Sequence, residues 1–484
     1  MNNKKLVRNY IYNTLYQILV LLAPLVTTPY VSRVLGVTGI GIYNYSQSIA
    51  KYFMLIGAVG TSLYGQREIA CYQTDPQKRT KAFWEIEAFR MSAVGACILV
   101  YFFLFCQGRE YSFMFRVLLI EVAAVAFDIS WLYMGLEDFR VTVIRNTIIK
   151  LVGIAAVLIF VKSPDDLNLY AVCVTLPSLL GNMSLWLVLK RCLVKVQISA
   201  SELLRGIRKR LRPILVLFLP QVAMDIYLVL DKTMIGVLSP NIDQVGYYSQ
   251  AEKIVKLVLT IATSLGTVMM PAMTAAFVRG DNEVIERSIK TAFRFVYMIS
   301  FSLLFGLCAI APRFVPLFFG RGYDPVVPLM MVISPILVII ATSNVIGRQF
   351  LLPTFQQREF TISIIAGAGT NFVLNALLIP HWGAMGASIA TVIAELAVTV
   401  VQCVFVRKQL PLKKCLSPIA RYGLFGLIMF CTVRGVGRIL PAGRILSVII
   451  MIVVGVVVYS TELLVTKDEM IWKGKDLLMQ GHLK

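Results

Sequence analysis

Apolar runs, each about as long as a membrane crossing, follow one another along this chain with short polar connections between them. A spanning helix needs about 20 predominantly apolar residues, and about fourteen such runs can be drawn. They lie at 11–34, 40–64, 84–106, 113–135, 141–162, 168–190, 212–238, 245–272, 290–317, 325–350, 359–380, 383–406, 418–440 and 444–466. None alternates with the period of two that a barrel strand would show. Backbone groups in lipid must be satisfied within their own segment, so each run predicts a helix. The expected fold is an all-α polytopic membrane protein. The opening MNNKKLVRNY is basic, as a signal peptide would be. However, the run after it is too long and lacks a small-residue cleavage site, so it predicts a retained first helix. One stretch departs from the pattern: the seventh and eighth runs contain Asp225, Asp231, Lys232, Glu252, Lys253 and Lys256. A charge at the bilayer centre costs about 2.5–3.5 kcal/mol on insertion scales, so such residues usually face a water-filled path or a partner.

Composition agrees with this reading. The 484 residues are 58% hydrophobic and only 15% charged, and the mean hydropathy is +0.76; soluble domains carry roughly 25% charged residues. The net charge of +21 sits in the short connections, as membrane topology demands. No zinc-finger spacing or basic helix beside an aromatic platform supports nucleic-acid binding. Lys and Arg cluster on alternate connections, from Lys4, Lys5 and Arg8 through Arg67, Lys78, Arg79, Arg140, Lys190, Arg191, Arg205 and Arg210 to Arg407, Lys408, Lys473 and Lys475. The opposite connections offer chiefly Arg109, Lys162, Arg313, Arg321 and Arg438. With an even helix number, both termini are expected in the cytoplasm. The connections are too short for a soluble domain; the longest, 191–211, predicts a basic cytoplasmic surface helix. The nine cysteines form no CxxC, and His381 and His482 have no ligand-spaced neighbour, so neither a metal site nor a disulfide is expected.

An internal repeat organises the charges. Val34–Lys51 reads VLGVTGIGIYNYSQSIAK and Ile235–Lys256 reads IGVLSPNIDQVGYYSQAEKIVK, so that Tyr45-Ser46-Gln47 answers Tyr248-Ser249-Gln250 six helices later. This predicts two six-helix lobes in parallel pseudo-repeat, at 1–190 and 212–408, joined by 191–211. Two further helices and a tail follow over 409–484. Asn44, Gln47, Ser48 and Lys51 share one helix face, and Ser249, Glu252, Lys253 and Lys256 another. Glu252 and Lys256 have the spacing of an ion pair. Asp225 and Lys232 share a face, with Asp231 pointing elsewhere. Arg33 ends the first helix, which Pro24 and Pro29 can bend. The cations Arg33, Lys51, Lys232, Lys253 and Lys256 thus converge on one expected inter-lobe cavity, with Asn44, Gln47 and Gln250 as polar groups able to meet a sugar. Asp225, Asp231, Glu252 and Glu395 could bind a coupling proton or sodium ion, or balance neighbouring lysines. Weaker signals, read as helix–helix hydrogen bonds, are Glu121 with Asp128, and the stripe Ser388, Thr391, Glu395, Thr399, Gln402. Gly383 and Gly386 read as close helix packing.

The segments TTPYVSRVLGVTGIGIYNYSQS, DKTMIG with VGYYSQAEKIVK, and NFVLNALLIPHWGAMGASIATVIAE resemble the Wzx-type oligosaccharide flippases. These form the polysaccharide-transporter branch of the multidrug/oligosaccharidyl-lipid/polysaccharide exporter superfamily. The resemblance implies two six-helix bundles with extra C-terminal helices in the bacterial cytoplasmic membrane. It also implies a polyprenyl-pyrophosphate-linked oligosaccharide moved between leaflets by alternating access, and other polysaccharide-assembly proteins as further partners. It carries the cationic role first to Arg33 in SRVLG and Lys232 in DKTMIG. No catalytic residue and no bound cofactor are expected. The competing readings are a drug or small-solute exporter of the same superfamily, which should prefer acidic and aromatic walls, and a polytopic polymerase or ligase. An enzyme would need convergent acids and bases on a sizeable outer loop, and these outer loops are short.

Overall fold

The structure is a computed structural model that describes residues 3–108, 110–263 and 273–470, with side chains from 16 onward apart from 217, 219–221, 223, 224 and 282. Arg109, the 264–272 end of the eighth expected helix, Lys473, Lys475 and His482 lie outside the described residues, as do the side chains of Lys4, Lys5 and Arg8. Among the described residues the regular structure is helical. In chain order the helices are α1 Asn3–Ala58, α2 Thr61–Cys71, α3 Pro76–Phe105, α4 Ser112–Ala126, α5 Ser130–Gly135, α6 Phe139–Phe160, α7 Leu167–Val188, α8 Ala200–Leu238 and α9 Asp243–Thr263. Then follow α10 Asn282–Phe319, α11 Val326–Ile333, α12 Ile336–Ile346, α13 Gln357–Val406, α14 Leu412–Leu416, α15 Pro418–Ile439 and α16 Ile445–Val465.

Among the described residues, ten helical segments are long and apolar enough to cross a membrane. The segments holding α1 and α13 are about double length, at 56 and 50 residues, and each is interrupted by a glycine. Gly36 adopts φ 68°, ψ −177° and Gly383 φ 51°, ψ −127°. A Cβ makes such positive φ costly, and glycine has none. Together with α8 and α9, these broken helices are compatible with the fourteen passes expected. Gly383 thus marks a break in helix geometry. In α1 the break falls at Gly36, and Pro24 and Pro29 lie inside the helix. Gly386 does pack closely: a Cβ there would stand 2.6 Å from the Leu378 carbonyl oxygen. The second expected helix also ends early, at Ala58, where Val59 and Gly60 turn the chain at φ 44° and 66° into α2.

The expected helix 113–135 is broken at 127–129, inside a single apolar segment. Carbonyls freed in lipid must find donors, and side chains from two other helices supply them. Asn182 of α7 donates to the Ala124 carbonyl at 2.7 Å, Trp186 of α7 to Phe127 at 3.0 Å, and Arg90 of α3 to Asp128. The Asp128 carboxylate accepts from the Ser130 N–H at 3.0 Å and faces Arg145 of α6 at 3.9 Å.

The chain forms two compact units, Met1–Val237 with Asn241–Gly246, and Leu238–Pro240 with Tyr247–Lys484. The sequence places the lobe boundary at 211/212 from repeat topology, which is a different criterion, and that division stays an expectation. Within the first unit α1 packs on α3, α4 and α6, and α4 on α7. Its core joins Tyr43, Tyr101, Phe115 and Leu118, with a second cluster around Phe83, Trp131 and Tyr133. In the second unit α10 packs on α12, α15 and α16. Outward faces are apolar, as lipid requires: Ile148 and Ile159 of α6 and Val456 of α16 are 55–61% exposed. The basic 191–211 connection is not a separate helix. From Ala200 onward it runs unbroken into α8.

Substituting Gly386 by Val should cost about 1–3 kcal/mol through overpacking against backbone that cannot yield. Gly369→Ala, with open space around the new methyl, should hold or raise stability by up to about 1 kcal/mol. Thermal unfolding of the two purified variants checks the pair.

Candidate functional site

The repeated Tyr-Ser-Gln segment and the DKTMIG segment meet in the first unit, and glycine is what lets them meet. A Cβ on Gly41 would stand 2.4 Å from the Ile242 carbonyl oxygen, and one on Gly246 would stand 2.5 Å from that of Val37. The start of the α1 half after Gly36 and the start of α9 therefore touch backbone to backbone. Thr38 locks the contact by donating to Asp243 at 2.7 Å. On α8, Gly236 of DKTMIG leaves room for the Tyr45 ring, which would lie 2.0 Å from a Cβ there. One turn further in, Thr233 donates to Ser48 at 2.8 Å and shares a hydrogen bond of 3.0 Å with the Tyr52 hydroxyl.

This contact sets the charges of the first unit. Lys51 is exposed on α1 and within electrostatic reach of both Glu121 of α4 and Asp225 of α8. Gln47, one turn before it, donates to the Tyr43 hydroxyl at 3.0 Å and approaches Glu121 at 3.5 Å. Asn44 donates to the Ile40 carbonyl of its own helix at 2.8 Å. Arg33 is exposed just before the Gly36 break, Lys232 and Asp225 are half-buried, and Asp231 is 6% exposed.

The remaining candidates belong to the second unit. Lys256 pairs with the buried Glu252 at 2.5 Å, as the spacing predicts, and Lys253 is exposed. Gln250 is buried and Glu395 half-buried. The α13 stripe makes helix–helix contacts: Thr391 with the Tyr248 hydroxyl at 3.1 Å, Thr399 with the Ile339 carbonyl at 3.3 Å, and Gln402 with Ser363 at 3.1 Å. A separate apolar cavity of about 410 Å³ lies against α10, α15 and α16, lined by Met298, Leu303, Leu307, Met429, Met451 and Tyr459 among others.

Two polar clusters escape the sequence reading, because their partners are far apart in the chain. In one, Arg210 of α8 donates to Glu85 of α3 at 2.7 Å, to the Tyr64 hydroxyl at 3.1 Å and to Glu68 of α2. Gly206, one turn earlier, lies directly over Glu85. A lone arginine among five basic residues over 205–212 looks like any other topology signal. The other cluster surrounds the α4–α5 break.

Broken helices, polar faces inside apolar segments and outward apolar belts together define a multi-pass membrane protein with a transporter fold. The structure is similar to the lipid II flippase MurJ at TM-score 0.76, with 16% identity, covering 96% of this chain and all of that one. It is also similar to an inward-facing MATE-family multidrug resistance transporter at TM-score 0.57, with 14% identity, covering 77% of this chain and 93% of the other. Residues 6–277 match the polysaccharide biosynthesis protein family, and the chain belongs to that family. A putative O-antigen transporter of Escherichia coli K12 is 25% identical over 84% of this chain and 98% of its own length. A relative so named from Shigella dysenteriae is 22% identical over 78% and 94%. A probable low-salt glycan biosynthesis flippase, Agl15 of Haloferax volcanii, is 20% identical over 48% and 49%.

Removing one partner of a buried ion pair costs about 3–5 kcal/mol. The side chains of Arg210 and Glu68 keep 14% and 20% exposure, so Arg210→Ala should fall at the low end of that range. Adding Glu68→Gln and Glu85→Gln should recover part of the loss. Unfolding temperatures of the single and triple variants check this, and equal temperatures for wild type and Arg210→Ala would contradict it.

Proposed function

We propose that this protein is a flippase. It moves a polyprenyl-pyrophosphate-linked oligosaccharide from the inner to the outer leaflet of the bacterial cytoplasmic membrane by alternating access, for cell-surface polysaccharide synthesis, and both of its termini lie in the cytoplasm. The lobes that alternate are the repeat units 1–190 and 212–408. The single observation that carries the reading is the placement of Lys51. It sits seven residues before the end of a membrane helix, exposed, on the polar face that Gln47 also occupies, so its charge is available to a ligand. A pyrophosphate is strongly anionic, and its transfer through hydrocarbon is prohibitive without such groups. Arg33, Lys232, Lys253 and Lys256 are the other cations proposed to receive it, with Asn44, Gln47 and Gln250 on the sugar.

The named functions of the relatives support this choice, since two are putative O-antigen transporters and one a probable glycan flippase. The apolar cavity against α10, α15 and α16 suits the polyprenyl chain, whose transfer from lipid to a Met- and Leu-lined space is nearly neutral in energy. Asp225, Asp231, Glu252 and Glu395 are proposed as coupling or balancing carboxylates. Of these, Glu252 pairs with Lys256, which suits it to balancing that cation.

Lys51→Met, and Lys256→Met made together with Glu252→Gln so that no buried carboxylate is left unpaired, should each leave the protein abundant in the membrane. Losing one charged contact to phosphate is worth about 1.5–3 kcal/mol, so flipping should fall roughly ten- to a hundredfold. Measured export of the lipid-linked sugar decides: wild-type rates from both variants would remove the cationic site.

A further inference from the structure

The carboxyl of Glu87 on α3 is fully buried, and neither of its oxygens has a hydrogen-bond partner. Arg90, one turn along the same helix and 1% exposed, acts on it electrostatically but makes no hydrogen bond to it. The guanidinium instead donates to the Asp128 carbonyl at the α4–α5 break and to Ser62 of α2 at 2.9 Å. The Trp131 indole N–H lies beside the carboxyl, also buried and outside hydrogen-bond geometry. The charged groups acting on Glu87 are Arg90 and, from the break, Asp128. Asp128 is shared with Arg145 of α6, which in turn donates to Asn182 of α7. A carboxylate held there without a donor would be very costly, whereas a neutral acid would not.

We infer that Glu87 is a proton-binding site and that its occupancy decides the partner of Arg90. With the proton on a carboxyl oxygen, Glu87 is neutral and Arg90 remains on the Asp128 carbonyl, closing the break. When the proton leaves to water, the carboxylate draws the nearest donors, Arg90 and the Trp131 N–H. Arg90 then gives up the Asp128 carbonyl, and the α4–α5 break must change shape or find another donor. The adjacent guanidinium repels a metal cation, which is why the ligand is a proton and not sodium. The site differs from the four carboxylates proposed above for coupling. Its use in transport rests on the flippase reading, but its protonation does not.

Infrared difference spectra of the full-length protein in lipid vesicles, recorded between neutral and alkaline pH, test the site without any substrate. The wild type should show a carboxylic-acid C=O band at neutral pH that disappears as pH rises. Glu87→Gln, which matches the neutral acid in shape, should lack it, and Glu87→Asp should retain it with a shifted titration. A band unchanged in both variants, or absent from the wild type, would overturn the inference. In the same vesicles, flipping by the wild type should vary with pH, and Glu87→Gln should change that profile. A Glu87→Gln profile identical to that of the wild type would overturn a part for the site in transport. Absence of flipping in wild type and variant alike would count against the flippase reading alone, since the infrared band still decides Glu87.

Discussion

A backbone carbonyl in hydrocarbon has no water to bond, so a helix that breaks inside the membrane must bring its own donors. The described residues contain such breaks at Gly36, at 127–129 and at Gly383, along with the turn at Val59–Gly60. How each is satisfied organises its surroundings. At 127–129, side chains of α3 and α7 close the gap, and those helices are fixed against α4 as a result. At Gly36 the helix is interrupted, and the segment after it lays its Tyr-Ser-Gln face on the turn before α9 and on α8. The polar groups proposed to meet a substrate are therefore positioned by the same breaks that the membrane makes expensive.

That arrangement gives the buried and exposed charges different work. Glu252 with Lys256, and Arg210 with Glu68 and Glu85, are neutralised where they stand. Lys51 is exposed, and its nearest acids, on α4 and α8, act on it without an ion pair closing. A cation kept in a membrane helix but left accessible is costly unless something anionic comes to it. The cargo proposed here, a lipid-linked pyrophosphate, is such an anion.

The sequence made the helices, the Glu252–Lys256 pair and the repeat legible, since each is a local pattern of hydropathy or spacing. It did not show the helix break at Gly383, because a Gly-Ala-rich segment has the same composition whether or not the helix is interrupted. Gly386, three residues on, packs closely as expected. It also drew 191–211 as a separate surface helix, whereas the helix that starts at Ala200 continues through Gly206 and Pro213 into the apolar run. Asp128 was visible as an intramembrane acid, but not as part of a break, because the donors that close it come from residues 90, 182 and 186 on other helices. Arg210 likewise finds its carboxylates more than a hundred residues away. Long-range pairing of this kind leaves no mark on the period of either helix.

The central claim is that this protein carries a polyprenyl-pyrophosphate oligosaccharide across the bilayer. Purified protein in vesicles containing a fluorescent lipid of that class, challenged with a membrane-impermeant quencher, tests it most directly. The account predicts that fluorescence initially protected in the inner leaflet becomes accessible when the protein is present, and that a polyprenyl lipid lacking the pyrophosphate stays protected. Inner-leaflet lipid that remains protected in vesicles holding folded protein would contradict it.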